Sequence, residues 1–376
     1  MVCSQYIELM RKTYRYRLYP TKRQISRLTQ TLNICRRVYN DTLAYRNQMY
    51  TDHKKSVSLY ATNTLLTQWK QENPSLSQVH SQVLQNAQAL VDLAFKSFFR
   101  RVKQGEQPGY PRFKKYDRYD SITYPQSGFH VSSDGTTLYA SKIGDIPLVL
   151  HRPITGNIKT LTIRRTATRK WYAALSVEVE TTTTVAPHND HVVGIDVGLE
   201  MFCTLSDGTT VDNPRWFRSS ESRLGKAQRK FSHLIKGTPE RKKQRQVIAH
   251  IHEKIANRRK DFIAKLATRL TTTYGTVVFE DLTIKNMMRN QYLAKSIGDA
   301  AWNLLISSTV NKAEEAGCTV ILVNPKQTSQ RCSQCGQLVK KTLSVRIHTC
   351  PHCGLVMNRD LNASINIMRL GLQSLG

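Results

Sequence analysis

Three acidic residues stand where apolar runs end or a helix begins, and that placement could do chemistry. Asp196 lies just past the run Val192-Val193-Gly194-Ile195, Glu280 ends the run Val277-Val278-Phe279, and Asp360 opens the last helical stretch. Strand-borne acids beside a helix-borne acid can converge into one negative pocket. Phosphodiester hydrolysis by two Mg²⁺ ions needs such a pocket: one ion activates the attacking water, the other stabilises the leaving oxygen, and carboxylates hold both. Each acid alone also has an ordinary reading. Asp196 could be a turn residue, Glu280 a solvated strand end and Asp360 a helix N-cap. Three such acids on a strongly basic chain favour the shared pocket.

A second set is sharper. Cys332-x2-Cys335, fourteen residues, then Cys350-x2-Cys353 has the spacing of a four-thiolate zinc ribbon. Four protein ligands close the site, so the ion would be structural and not catalytic. Gly336 and Gly354 follow the two pairs and let each knuckle turn. His348 and His352 flank the second pair and are alternative ligands, but four cysteines already suffice. A redox reading is weak because two spaced pairs are present. Cys3, Cys35, Cys203 and Cys318 are scattered, which fits a cytoplasmic protein with reduced thiols.

Charge points to the partner. The 376 residues carry 56 Lys+Arg against 27 Asp+Glu, a net +29, with 40% hydrophobic residues. The apolar share can build real cores, and the length suits two or three domains. The imbalance calls for a polyanion, hence nucleic acid. Residues 215–260 hold 15 Lys/Arg against three Glu, too one-sided for an ordinary solvated face. The runs Tyr14–Tyr19 and Tyr110–Tyr124 interleave rings with basic groups, which suits single strands, although aromatic rings equally build cores. No apolar run of about 18 residues exists to span a membrane, and the first residues lack a signal peptide's apolar core.

Elements must position these groups. Residues 12–19 alternate, with Tyr14, Tyr16 and Leu18 on one face and Arg15 and Arg17 on the other, as in a strand. Thr21 and Gln24 have capping-box spacing before a helix carrying Ile25, Leu28, Leu32, Cys35 and Tyr39. A second helix is expected over 77–103, its stripe formed by Val83, Ala87, Leu90, Val91, Ala94, Phe95, Phe98 and Val102. Short alternating runs over 120–180 predict strands, with a turn at Asp134-Gly135 and a hairpin from 158–166 and 170–180. Residues 181–190 read as a polar linker. After it come three strands around the Asp207-Gly208 turn, the basic helices, a strand over 275–280, a helix over 297–316, a strand over 319–323, the cysteines and a final helix over 361–370.

In order along the chain, YRYRLYPTKRQ, CRRVYN, LQNAQALVDLAFKSFFR, GYPRFKK, GIDVGL, FEDL, SIGDAAW, QTSQRCSQCG, LSVRIHTCPHCG and NRDLNASINI resemble the TnpB family, transposon-encoded proteins related to type V CRISPR effectors. The resemblance covers nearly the whole chain. It implies an α/β multidomain fold: a wedge β-barrel (1–20 and 105–182) with an inserted helical recognition domain (21–104), a linker (183–190), then a RuvC-like RNase H-fold nuclease (191–330), a zinc-ribbon insert (331–354) and the final RuvC helix (355–376). Asp196, Glu280 and Asp360 map onto the family's catalytic, Mg²⁺-binding acids, and Cys332, Cys335, Cys350 and Cys353 onto its Zn²⁺ ligands. Tyr60, Gln85 and Thr123 fall where the family reads a short motif beside its target, and Ser81 where some relatives carry a basic residue. The resemblance further implies an RNA-guided endonuclease, a monomer in a complex with guide RNA from the transposon end, cutting double-stranded DNA at a single RuvC site in a prokaryotic, nucleoid-associated setting. A non-cleaving guided repressor, a strand-transfer transposase and a CRISPR effector proper are the rival readings. The intact acids oppose the first.

Overall fold

A computed structural model describes residues 7–182, 190–283, 287, 289, 292, 294–342 and 345–375. The chain divides into two compact units, Met1–Thr182 and Thr183–Gly376. Cys3 and residues 183–189 of the expected linker lie outside the described residues. Thr181 and Thr182 belong to a strand and not to the linker.

In the first unit, β1 (Ile7–Leu18) pairs antiparallel with β7 (Trp171–Thr182) along its whole length. Tyr14, Tyr16 and Leu18 are buried, as alternation requires. The buried phenols keep partners: Tyr14 Oη meets Thr155 Oγ1 at 2.8 Å, and Tyr16 donates to the Arg152 carbonyl at 3.1 Å. With β2 (Ser121–Tyr124), β3 (Phe129–Val131), β4 (Thr137–Ala140), β5 (Gly144–Val149) and β6 (Asn157–Arg165), the sheet order is β2-β6-β7-β1-β5-β4-β3. Its ends approach each other. Tyr124 of β2 donates to the Ser141 carbonyl just past β4 at 2.9 Å, and its ring lies 6.3 Å from that of Phe129 on β3. The sheet is therefore barrel-like and nearly closed.

Three helices sit between β1 and β2 in the chain and share one apolar core with the sheet. Helix α1 (Lys22–His53) starts with the full capping box of Thr21 and Gln24. Helix α2 (Leu59–Glu72) was not signalled by the sequence pattern. Helix α3 (Ser81–Lys103) starts four residues later than expected, because Pro74–Gln78 form a 3-10 turn capped by Asn73. Its buried stripe is Val83, Ala87, Val91 and Phe95. Leu90 lies about 100° round the helix from Val91 and is exposed. Ile25 in the first turn of α1 and Val102 in the last turn of α3 are exposed as well.

The second unit is built on a five-stranded sheet, order β10-β9-β8-β11-β12. Strands β8 (Val192–Val197), β9 (Met201–Leu205) and β10 (Thr210–Asp212) run antiparallel. Strands β11 (Thr276–Glu280) and β12 (Thr319–Val323) extend the sheet in parallel from β8. Alternation divides the sheet's faces. Val193, Ile195, Val277 and Phe279 join a core with α4 (Arg218–His233), α5 (Pro239–Thr273) and α7 (Trp302–Ala316). Val192, Val278, Ile321 and Val323 face α8 (Arg359–Gln373) through Ile367. The helix expected over 297–316 is broken into α6 (Ala294–Ala300) and α7, because Ala301 takes a left-handed φ of 55°. Strands β13 (Ile347–Thr349) and β14 (Val356–Asn358) pair in the cysteine-bearing segment.

Candidate active site and thiolate cluster

The register of β8 and β11 decides where two of the acids go. Ile195 and Phe279 are direct partners across the parallel pair. One step on, Asp196 and Glu280 are neighbours, and the period of two turns both toward the α8 face. Helix α8 presses on this face unusually closely. A methyl group on Gly194 would lie 2.1 Å from the Ser364 carbonyl oxygen, and one on Gly371 would lie 2.4 Å from a methyl of Val278. Ser364 crosses the strand at Gly194. Asp360 is one helical turn before Ser364, and Asp196 is two strand residues beyond Gly194, so about 5–7 Å along each element leads to the same corner.

The electrostatics agree with that placement. Burial pushes the Asp196 carboxyl well above the usual carboxylate range, and the charges of Glu280 and then Asp360 push it further, against a pull from Arg359. Burial also raises Glu280, opposed by a hydrogen bond that Thr328 Oγ1 donates to its Oε1 at 2.5 Å. The ordinary readings of the three acids fail one by one. Asp196 lies inside β8 opposite Thr204, so it is no turn residue. Glu280 is half-buried and hydrogen-bonded. The cap of α8 is Asn358, whose Oδ1 accepts from the backbone N–H of Asp360 at 2.8 Å and of Leu361 at 3.2 Å, leaving the Asp360 carboxylate unused as a cap.

The four cysteines converge more tightly: their sulfurs all lie within 4.8 Å of one another. Cys332 Sγ is 3.6 Å from Cys353 Sγ, and Cys335 Sγ is 3.6 Å from Cys350 Sγ. The two knuckles repeat one geometry. Gly336 N–H donates to Cys332 O and Gly354 N–H to Cys350 O, both at 3.0 Å, and both glycines have φ of 76°. That left-handed conformation is what glycine supplies at no steric cost. His348 is buried with Nδ1 against Lys341 Nζ, and His352 is exposed. Among the described residues the four cysteines are the group that gathers as metal ligands do. The three carboxylates are more widely spread.

The remaining sequence candidates are dispersed over the first unit. Tyr60 on α2 is 82% exposed and Gln85 on α3 is exposed. Thr123 on β2 pairs its hydroxyl with Thr162 at 2.9 Å. Among the described residues no hydrogen bond or ring contact joins the three. Ser81 accepts from Lys70 Nζ at 2.8 Å. In the aromatic runs, Tyr119 and Tyr124 serve the core, whereas Tyr19, Tyr110, Phe113 and Tyr116 are exposed. Of the basic residues on α4 and α5, Arg259 is spent on the buried Asp299 at 2.8 Å, and Arg241 ties the Phe231 and Leu234 carbonyls. Most of the others are exposed.

Sequence reasoning missed two asparagines. Asn362 is fully buried: its Oδ1 accepts from Ser333 N–H at 2.9 Å, and its Nδ2 donates to Arg331 O at 2.8 Å. Asn366, one turn on, donates to Thr328 O at 2.9 Å and Arg331 O at 2.7 Å. The available signal was their four-residue spacing, which puts both on the core-facing side of an amphipathic helix where apolar residues were due.

Comparison with known proteins fits this architecture. A family described as "Probable transposase" matches residues 174–291, one described as "Cas12f1-like, TNB domain" matches 302–367, and a "Helix-turn-helix domain" matches 10–55. Residues 10–55 here form the end of a strand and one unbroken helix. A protein of Streptomyces pristinaespiralis provisionally named an RNA-guided DNA endonuclease is 36% identical over 97% of this chain and 90% of its own length. InsQ of Escherichia coli K12, with the same provisional name, is 30% identical over 96% of this chain and 92% of its own. The structure of a mini-RNA-guided endonuclease, CRISPR-Cas phi3, superposes with a TM-score of 0.51 over 96% of this chain and 92% of that one, at 8% identity. That likeness is one of fold. The chain belongs to the TnpB family, the OrfB proteins of IS605-type elements.

Proposed function

We propose that this protein is an RNA-guided DNA endonuclease, as its relatives from Streptomyces and Escherichia coli are named. The observation that supports the reading is that Asp196 and Glu280 stand on adjacent strands of the register, with the Asp196 carboxyl raised by the charges of Glu280 and Asp360. A sheet of three antiparallel strands extended by two parallel ones, order β10-β9-β8-β11-β12, supports an RNase H-like nuclease of the RuvC type. Burial raises the Asp196 and Glu280 carboxyls, and the charges of Glu280 and Asp360 raise Asp196 further, a strain that divalent cations would relieve. Two such ions, about 3.5–4 Å apart, are the arrangement that phosphodiester hydrolysis uses. Mg²⁺ held by Asp196, Glu280 and Asp360 would supply an activated water and a charge to stabilise the leaving oxygen. The four cysteines would hold one structural Zn²⁺.

Sequence choice is delegated to base pairing, and the protein grips phosphates. In this reading 1–20 and 105–182 form the wedge barrel, 21–104 the recognition helices, 191–330 and 355–376 the nuclease, and 331–354 the ribbon. The exposed basic residues of α4 and α5 contact the guide–target duplex. Tyr60, Gln85 and Thr123 read a short motif beside the target. One protein copy, bound to RNA from the transposon end, passes both DNA strands through the single site in turn, at the nucleoid of a prokaryotic cell. No helix among the described residues is long and apolar enough to cross a membrane.

The test exchanges the guide segment of the RNA and keeps everything else fixed. Cleavage should move to DNA matching the new guide, and only beside a fixed short motif. Alanine at Asp196, Glu280 or Asp360 should abolish cleavage and spare guided binding. Cutting that stays at the original site, or proceeds equally without RNA, makes the protein a conventional nuclease or transposase.

A further inference from the structure

A hydroxyl that bonds one of the acids belongs to a loop that leads straight into the thiolate cluster. Thr328 is buried, and its Oγ1 donates to Glu280 Oε1. That bond occupies one carboxylate oxygen and leaves Oε2 for a cation. Thr328 does not hold itself in place. Its carbonyl accepts from Asn366, which also donates to Arg331 O; Arg331 O and Ser333 N–H are both gripped by Asn362. Between Arg331 and Ser333 stands Cys332, a member of the cluster. Arg369, further along α8, donates to Ser333 O. Two buried amides, each making two hydrogen bonds to the same backbone segment, connect the first knuckle to Glu280.

Resting on the acid-pocket reading above, we propose that Thr328 is a positioning residue for Glu280, and that Asn366 and Asn362 tie it to Cys332, so that zinc at the cysteines sets how well the acid pocket holds its cation. A ligand carboxylate whose second oxygen is fixed by a hydrogen bond loses less freedom on coordination. Removing such an outer partner typically costs 10–100-fold in metal affinity. Without zinc the knuckle has no ion to close it, and the segment 328–333 loses its anchor on one side.

The test uses the full-length chain, zinc-loaded and free of RNA in high salt, and follows its melting temperature against Ca²⁺. This reads cation binding without turnover. Wild type should stabilise with a defined Ca²⁺ midpoint, and Glu280→Gln should lose the response. Thr328→Val, which keeps the shape and removes the hydroxyl, should move the midpoint up by about 10-fold or more, and Thr328→Ser should restore it. Zinc-stripped wild type should shift in the same direction. In the complex with guide RNA, the Mg²⁺ half-saturation of cleavage should follow the same order while guided binding stays unchanged. The melting temperature without Ca²⁺ reports folding separately. Should the valine variant be too unstable to titrate, the ratio of midpoints for Thr328→Ala and Thr328→Ser decides, a ratio near one being fatal. A silent Glu280→Gln beside a Thr328→Val with the wild-type midpoint overturns this inference alone. A Glu280→Gln that keeps the wild-type response overturns the acid-pocket reading as well.

Discussion

Gly194→Ala should be among the most damaging single-methyl changes in the nuclease unit. The added Cβ would sit 2.1 Å from the Ser364 carbonyl oxygen and 2.4 Å from the Met368 backbone nitrogen. Ordinary contact starts near 3.4 Å, so strand and helix must separate by about 1.3 Å. Neither obstacle is the end of a flexible side chain, so the cost belongs at the upper end of overpacking, about 3 kcal/mol. For a unit of this size that is a fall of roughly 6–12 °C in melting temperature. The chemical cost is larger, because the displaced helix carries Asp360 and the strand carries Asp196. A misplacement of about 1 Å costs on the order of 10²-fold in rate. Guided DNA binding should survive. Gly371→Ala is the control: its Cβ would meet the methyls of Val278 at 2.4 and 2.7 Å. Val278 is buried and stiff, so strain is expected there too, but the obstacle is a side chain and not backbone, and alanine gains about 0.5–1 kcal/mol of helix propensity. Melting curves and single-turnover cleavage of the two variants test the argument. A Gly194→Ala protein with wild-type melting and rate, or one less impaired than Gly371→Ala, refutes it.

Three further outcomes follow. Burial and two neighbouring carboxylates raise the Asp196 pKa in the folded protein, so its contribution to stability is fullest below the unfolded pKa of about 3.9 and is lost as pH rises through the folded value. Asp196→Asn should therefore melt above wild type near pH 8 without added divalent cation, and the gap should shrink toward pH 4; a pH series of melting curves with no such trend contradicts the crowded pocket. Elemental analysis of purified protein should find about one Zn²⁺ per chain, and Cys350→Ser should lose it together with thermal stability; folded, active, zinc-free protein would dismiss the ribbon. Lys242 and Lys243 are exposed on α5, and replacing both with Gln should flatten the log–log salt dependence of guided DNA binding by up to roughly 2, at about 0.9 per phosphate contact; an unchanged slope would remove α5 from the nucleic-acid path.

How much of this was legible in the sequence depended on whether a residue's role is local. The first knuckle shows why the cysteines were readable: Cys332, Cys335 and Gly336 are neighbours, and a CxxCG turn has one way to close. The capping box at Thr21 and the alternation of Tyr14, Tyr16 and Leu18 are local in the same sense. The acids were half readable. Their places after apolar runs or at a helix start marked them, but bringing them together rests on Gly194, which admits α8 to the sheet against helix backbone, and on a register between residues 84 apart in sequence. Helix α2 escaped because tertiary packing, through Thr62 and Leu66, holds a segment whose own apolar pattern is weak. The break at Ala301 escaped for a different reason. Its left-handed φ is carried by a residue with no preference for it, and Asp299, bonded to Phe217 N–H and Arg259, fixes the preceding helix from outside. Asn362 and Asn366 were hidden in plain view, since polar residues on a helix are ordinarily assigned to water. Buried and hydrogen-bonded, they instead fasten the final helix to the loop between β12 and Cys332. Of the features the sequence left unread, these two asparagines are the ones that bond the residues flanking Cys332 and the carbonyl of Thr328, the hydrogen-bond partner of Glu280.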